Sequence, residues 1–362
     1  IQPNPKRNYL MQWNINIQHE LAADLTASVA YVGSRGVHMI FRSDDINTTL
    51  PINGSNPPYL WPGIVSTISP NIGRMDALSW NNDSYFDGLE TQIEKRMSHG
   101  FQVQGSYTWS RAIDGGDGSI ASDSFQSSIP ALFFTLPKWR RAPADFNITH
   151  NLTVNYLWNI PVSYGLQGPV AWVAKGCQLG GIMQIRSGIP FTPLIAGDPL
   201  GLGSSAPFAY PDRSTGGGCS APVNPGNAAG YLKLNCFSLP AATPAIASLC
   251  VPFAPNGVPI PGTCSNLLGN SGRNSVYGPG LIDFDFSAVK DTHIGERLDV
   301  QFRAEIFNIF NRSNFNPPLA NGDNFVFQSN GLTNGPPNGT AGALDSTSTS
   351  SRQVQFAVKF IF

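Results

Sequence analysis

At 362 residues the chain is long enough for one large β domain or two ordinary domains, so length leaves the domain count open. Charged residues are only 12% of the sequence, about half the share usual in a soluble globular protein, while aromatics reach 11% and Gly and Pro number 37 and 30. That is a composition of many short strands joined by loops, and a formal net charge of −1 with no Lys/Arg run excludes the electrostatic footprint of a nucleic-acid partner.

No apolar run reaches the roughly 18 to 20 residues of a membrane-spanning helix. The best stretch, 241–254, is broken by Pro244 and Pro252, which excludes a helical membrane protein. Residues 1–5 carry no charged leader followed by an apolar core, so the expectation is that a signal peptide has been removed or that the chain begins mid-protein.

In chain order, residues 9–19 alternate Tyr9, Met11, Trp13, Ile15 and Ile17 with Gln12, Asn14, Asn16 and Gln18, the period of a two-faced strand. A short turn over 20–24 leads into a second strand with Leu25, Ala27, Val29 and Tyr31 on its apolar side. A third, over 85–97, sets Leu89, Ile93 and Met97 against Glu90, Gln92, Glu94 and Arg96. Ser98-His99-Gly100 turns it into a fourth, with Phe101, Val103, Tyr107 and Trp109 on one face. A fifth is predicted over 146–160 and a less regular sixth over 179–191. The seventh carries Ile282, Phe284 and Phe286. The eighth sets Leu298, Val300, Phe302, Ala304 and Ile306 against Asp299, Gln301, Arg303 and Glu305. The last alternates Val354, Phe356, Val358, Phe360 and Phe362 with Gln353, Gln355 and Lys359.

Taken singly, each alternation fits a half-buried strand of a soluble antiparallel sheet. The connections argue otherwise. Residues 20–24, 98–100 and 291–296 are short, 161–176 is intermediate, and 42–84, 113–144, 193–278 and 311–351 are long. Tight turns at one end and extended loops at the other are the habit of outer-membrane barrels, and strands of about 9 to 11 residues match a tilted span of the hydrocarbon layer. With the short turns at the periplasm, the first strand runs inward, and after about nine passages the last ends on the periplasmic side. Tyr9, Trp13, Tyr31, Tyr107, Trp109, Tyr156, Trp158 and Phe362 then supply aromatic girdles. The predicted fold is all-β: an antiparallel transmembrane β-barrel, a partial wall of about nine strands from a larger barrel, with long extracellular loops. The whole chain, 1–362, reads as one such segment, with 193–278 as its longest extracellular loop.

Several stretches resemble one family. Tyr31-Val32-Gly33-Ser34-Arg35-Gly36, Tyr107-Thr108-Trp109-Ser110, Ser187-Gly188-Ile189-Pro190-Phe191-Thr192, the run from Phe302 to Asn311, and the terminal run from Phe356 to Phe362 are similar, in order and spacing, to the C-terminal barrel part of TonB-dependent outer-membrane receptors. The likeness is greatest to the large acidobacterial, carboxypeptidase-regulatory-like type. The resemblance implies a barrel of about 22 strands plugged by an N-terminal domain, importing a scarce solute with energy passed through TonB. It also implies a place in the outer membrane of a diderm bacterium. These 362 residues show neither plug nor TonB-contacting box, so they are expected to be a fragment of the wall that meets TonB through the missing plug domain. The resemblance names no particular solute. Phe356, Phe360 and Phe362 resemble the C-terminal signal read by the barrel assembly machinery, and outward aromatics facing outer-membrane lipid are the simpler account of the same residues.

Other candidates are local. Cys219, Cys236, Cys250 and Cys264 fall in one Gly/Pro-rich loop without the C-x-x-C pairs of zinc sites, and in an exported protein an even cluster reads as disulfides. Cys219–Cys236 with Cys250–Cys264 is the preferred connectivity of the three, against free thiols or metal ligation. Cys177 is left over as a small apolar residue. Asp114, Asp117 and Asp123 offer oxygen ligands for calcium, but they match no twelve-residue calcium loop and read better as solvated. Gly201-Leu202-Gly203-Ser204-Ser205-Ala206 imitates a dinucleotide fingerprint without the strand and helix it needs. Ser271, His150 and Asp145 lack the local signatures of a hydrolase. Neither cofactor, metal nor catalytic residue is therefore expected. Glu90, Glu94, Arg96, Arg303 and Glu305 are expected to line the lumen or meet a plug, or else to pair with one another on a wet wall. An energised transporter is the leading function, with a passive porin or adhesin-like barrel, and then a soluble secreted β protein binding through its loops, as alternatives.

Overall fold

The computed structural model describes residues 3–43, 46–52, 58–63, 67–73, 75, 77–116, 140–161, 175–202, 209–295, 298–319, 323–328 and 339–362. Nine long strands run through them: β1 (Tyr9–Ala22), β2 (Leu25–Ser43), β3 (Ala77–Ser98), β4 (Phe101–Asp114), β5 (His150–Asn159), β6 (Cys177–Arg186), β7 (Leu281–Ile294), β8 (Leu298–Phe307) and β9 (Gln353–Ile361). Each pairs antiparallel with the next, so spatial order equals chain order. The sheet is not closed: among the described residues β1 has only β2 beside it and β9 only β8.

The tight turns explain themselves. His99 and Gly100 take φ of 51° and 77°, and a two-residue hairpin turn whose twist matches its strands needs positive φ at both central positions. Ala23 and Asp24 join β1 to β2, and Gly295, at φ 66°, follows the end of β7. These turns lie at one end of the sheet; the long connections β2–β3, β4–β5, β6–β7 and β8–β9 lie at the other.

Register carries the alternation across the whole sheet. Ile17, Val29, Thr91, Tyr107, Leu152, Ile185 and Ile282 stand side by side on β1 to β7. On the opposite face Gln18, Ser28, Gln92, Ser106, Thr153, Gln184 and Asp283 do the same. Because a one-residue slip would exchange the faces, nine strands agreeing in register means that one apolar and one polar surface are specified throughout. The apolar surface is bare: Ile17 is 71% and Phe356 67% exposed, and every residue of β1 and β9 is exposed. A soluble sheet would bury this face.

The buried core lies instead among the loops. Trp61, Phe191, Leu194, Ile195, Leu200, Leu202 and Val326 are almost wholly enclosed, with Tyr210, Phe237 and Phe253 against them. Residues 194–195 pair with 325–327, and Leu60 bridges to Leu267, so connections distant in sequence fold into one cap.

Some boundaries differ from the sequence expectation. β2 and β3 run on to Ser43 and back to Ala77, shortening the first long loop. The fifth strand starts at His150 rather than 146, because the Asn147 side-chain oxygen, not a backbone carbonyl, accepts the Ala112 N–H at 2.7 Å. The sixth ends at Arg186, and Pro190–Phe191 leaves the wall to pair with Val276–Tyr277 in the cap.

Candidate functional site: a braced loop cap on a two-faced wall

Two disulfides brace the cap. Cys219 is bonded to Cys236 and Cys250 to Cys264, closing sequence separations of 17 and 14 residues. Cys177, at the first position of β6 and the turn end of the wall, takes part in neither disulfide.

The cap is tied to the wall through Arg273. Its guanidinium pairs with Asp114, the last residue of β4, and lies 3.5 Å from Asp145 of the β4–β5 connection, and all three side chains are almost fully buried. Asn274 extends the tie: its amide donates to Asp145 at 2.6 Å and to the Pro143 carbonyl at 2.8 Å, while its backbone N–H donates to Thr192 Oγ1 at 2.9 Å. Asn324 donates to the Thr192 carbonyl at 3.0 Å, and Asn266 to the Trp61 carbonyl at 2.7 Å. Every long connection therefore contributes to one hydrogen-bonded junction or to its neighbour.

The electrostatics follow from burial. Arg140 stacks over Phe41 at 4.0 Å, and its pKa is pushed down to about 10 by desolvation and then by the Arg273 charge, with Asp114 opposing. Burial pushes Tyr210 and Tyr231 up to about 12. Desolvation likewise raises the Asp323 carboxyl.

A second junction explains the run from Phe302 to Asn311. Asn308, at φ 49°, gives its backbone N–H to Asp285 at 2.9 Å, and its amide donates to the carbonyls of Arg312 and Ser350 at 2.9 and 3.0 Å. It joins the loop ends of β7, β8 and β9. Asn tolerates this left-handed conformation better than other non-glycine residues.

The expected sites are distributed as follows. Glu90, Glu94, Arg96, Arg303 and Glu305 stand on the polar face. Arg96 lies 3.5 Å from Glu20, and Arg303 lies 3.6 Å from Glu305. Phe356 and Phe360 stand on the apolar face opposite Ala304 and Val300, and Phe362 follows the last paired residue. Asp114 is neither solvated nor poised for calcium, because its carboxylate faces Arg273 in a buried pair; Asp117 and Asp123 lie outside the described residues. Ser271, His150 and Asp145 do not form a triad: His150 is engaged by the Tyr107 hydroxyl at 2.8 Å, and Asp145 by Arg273 and Asn274. The glycine run 201–206 is described only at Gly201 and Leu202, which are part of the cap. No group of three or more His, Cys, Asp or Glu suited to a metal occurs among the described residues.

A bare apolar face, a polar face behind it, open strand edges and loops folded at one end define a class: a wall of a membrane-spanning β-barrel. The chain belongs to the outer membrane beta barrel domain family, whose model matches residues 1–355. Its place is the outer membrane. No curated protein matches the sequence. Among solved structures it is similar to the outer membrane transporter YddB of Escherichia coli, at 8% identity and a TM-score of 0.47, over 98% of this chain and 33% of that one. It is also similar to the ferric-catecholate import receptor Fiu of E. coli K12, at 9% identity and a TM-score of 0.39, over 99% and 28%. The ferripyoverdine receptor of Pseudomonas aeruginosa is a third, at 10% and 0.38, over 98% and 27%. The chain thus spans no more than about a third of the length of these proteins.

Proposed function

We propose that these residues are the wall and the outer cap of an energised transporter that takes up a solute across the outer membrane, belonging to the large acidobacterial type of TonB-dependent receptor. On this reading the cap lies outside the cell and forms part of the entrance, and the polar face lines the lumen. TonB acts through a plug domain encoded outside the 362 residues, and Glu90, Glu94, Arg96, Arg303 and Glu305 meet that plug or pair on a wet wall. The barrel assembly machinery reads Phe356, Phe360 and Phe362. The chain performs no catalysis.

The observation that carries the reading is the open nine-stranded sheet with its long loops folded into a braced cap, since open edges cannot stand in lipid and call for further strands of a larger barrel. Uptake of candidate solutes should be compared in cells expressing the gene with and without active TonB. Uptake that stops with TonB supports the transporter. Conductance in planar bilayers, with uptake unchanged by loss of TonB, would establish the porin instead.

A further inference from the structure

Charged residues bracket the apolar face. Lys95 marks the turn end of the apolar belt on β3, and Asp87, eight positions earlier and opposite Arg111 in the strand register, marks its loop end. That interval is about 27 Å of strand, or about 20 Å along the membrane normal at the usual tilt, close to the height of a hydrocarbon belt. Directly above it, Arg35 and Arg141 lie over the ring of Tyr85, and Arg111 stands on the neighbouring strand opposite Asp87. Arg141 lies 4.4 Å and Arg35 5.1 Å from the ring centre. Arg35 faces Asp83 at 3.8 Å, and Asp87 accepts from the Tyr31 hydroxyl at 2.6 Å. Arg111 and Arg141 are exposed and have no carboxylate partner among the described residues. A groove of about 590 Å³ with Arg111 and Asp87 on its wall is bordered by Tyr31, Leu89, Trp109 and Tyr277.

We propose that this face of β2 to β4 is a site for a phosphate-bearing membrane lipid, with an acyl chain in the groove and the phosphate on Arg111 and Arg141. Guanidinium forks match phosphate oxygens bidentately, and such pairs strengthen where water is partly excluded. The three guanidinium groups of Arg35, Arg111 and Arg141 outnumber the carboxylates of Asp83 and Asp87, which leaves the rim net cationic. An apolar groove ending in free guanidinium groups at the belt edge suits an amphiphilic anion better than a soluble one. The site needs only the membrane position and is independent of transport.

The test uses the protein purified from outer membranes in mild detergent and native mass spectrometry. Phosphatidic acid is compared with diacylglycerol of the same chains, for the wild type, the R111Q/R141Q double variant and R303Q on the opposite face. The wild type should retain phosphatidic acid about tenfold better than diacylglycerol, the double variant should lose that preference, and R303Q should keep it. Equal retention of the two lipids overturns the proposal, as does a double variant that keeps the preference or an R303Q variant that loses it. Displacement of the lipid by millimolar inorganic phosphate would also overturn it, in favour of a free-anion site.

Discussion

Arg273 pairs with both Asp114 and Asp145, and although Arg140 also acts on Asp114 and Asn274 donates to Asp145, its removal takes the paired charge out of a buried cluster. Losing one partner of a buried pair costs about 3–5 kcal/mol. Arg273→Ala should therefore loosen the cap while sparing the wall. Limited proteolysis should cut within 187–280 at protease levels the wild type resists, with heat-modifiable migration retained. At the other end of the wall, Asp24 accepts from the Ser98 hydroxyl and lies 3.1 Å from the Lys95 ammonium, and these two hold its carboxyl below the ordinary 3.8. Its folded-state value is depressed, so its contribution is complete above 3.8 and disappears as pH falls through the folded value. Asp24→Asn should lower urea resistance in detergent at neutral pH and make no difference in strong acid. A gap that persists unchanged in acid would refute the pairing. Neither residue stands out in the sequence: Arg273 and Asp114 are 159 positions apart, and Asp114 sits in an acidic, glycine-rich stretch that imitates a solvated loop.

At the scale of the element, the wall was readable because period-two patterning survives wherever one face meets an apolar medium and the other meets water. The last strand is the clearest case. Nitroxide labels replacing Phe356 or Val358 should report hydrocarbon, and labels replacing Gln355 should report water; accessibility the other way round would reverse the faces. Deleting Phe362 should lower assembly into the membrane while synthesis continues, and normal assembly would count against its role as a signal. Strand ends were less legible, since they depend on substitutes for the ladder. Asn147 replaces a backbone acceptor, and Pro190–Phe191 exchanges the wall for the cap. The cap itself was read only as a loop, because its core residues follow no period and meet across connections rather than along them.

At the largest scale, the sheet formed by the described residues leaves two strand edges facing lipid. Each unpaired N–H or C=O there costs several kcal/mol, so these 362 residues alone should not form a closed, heat-modifiable barrel. Expression of the segment by itself in detergent tests this, and a compact, protease-resistant species would restore the small porin. Reduction of the two disulfides should leave the wall's migration unchanged and expose the cap to proteases, which gel shifts with and without reductant would separate.

The linkage between Asn266 and Trp61 spans 205 residues, whereas each disulfide closes a ring of fewer than twenty. Contacts of such long range cannot form until the intervening hairpins are in place, while short rings close on local encounter. Maturation is therefore ordered in time. The thiols can be oxidised on a chain that has no wall yet, and the cap becomes protease-resistant only after β3 to β6 have been laid side by side. A pulse-labelled sample should show its disulfides first and its protected cap last, and slowing hairpin insertion should widen the interval between them.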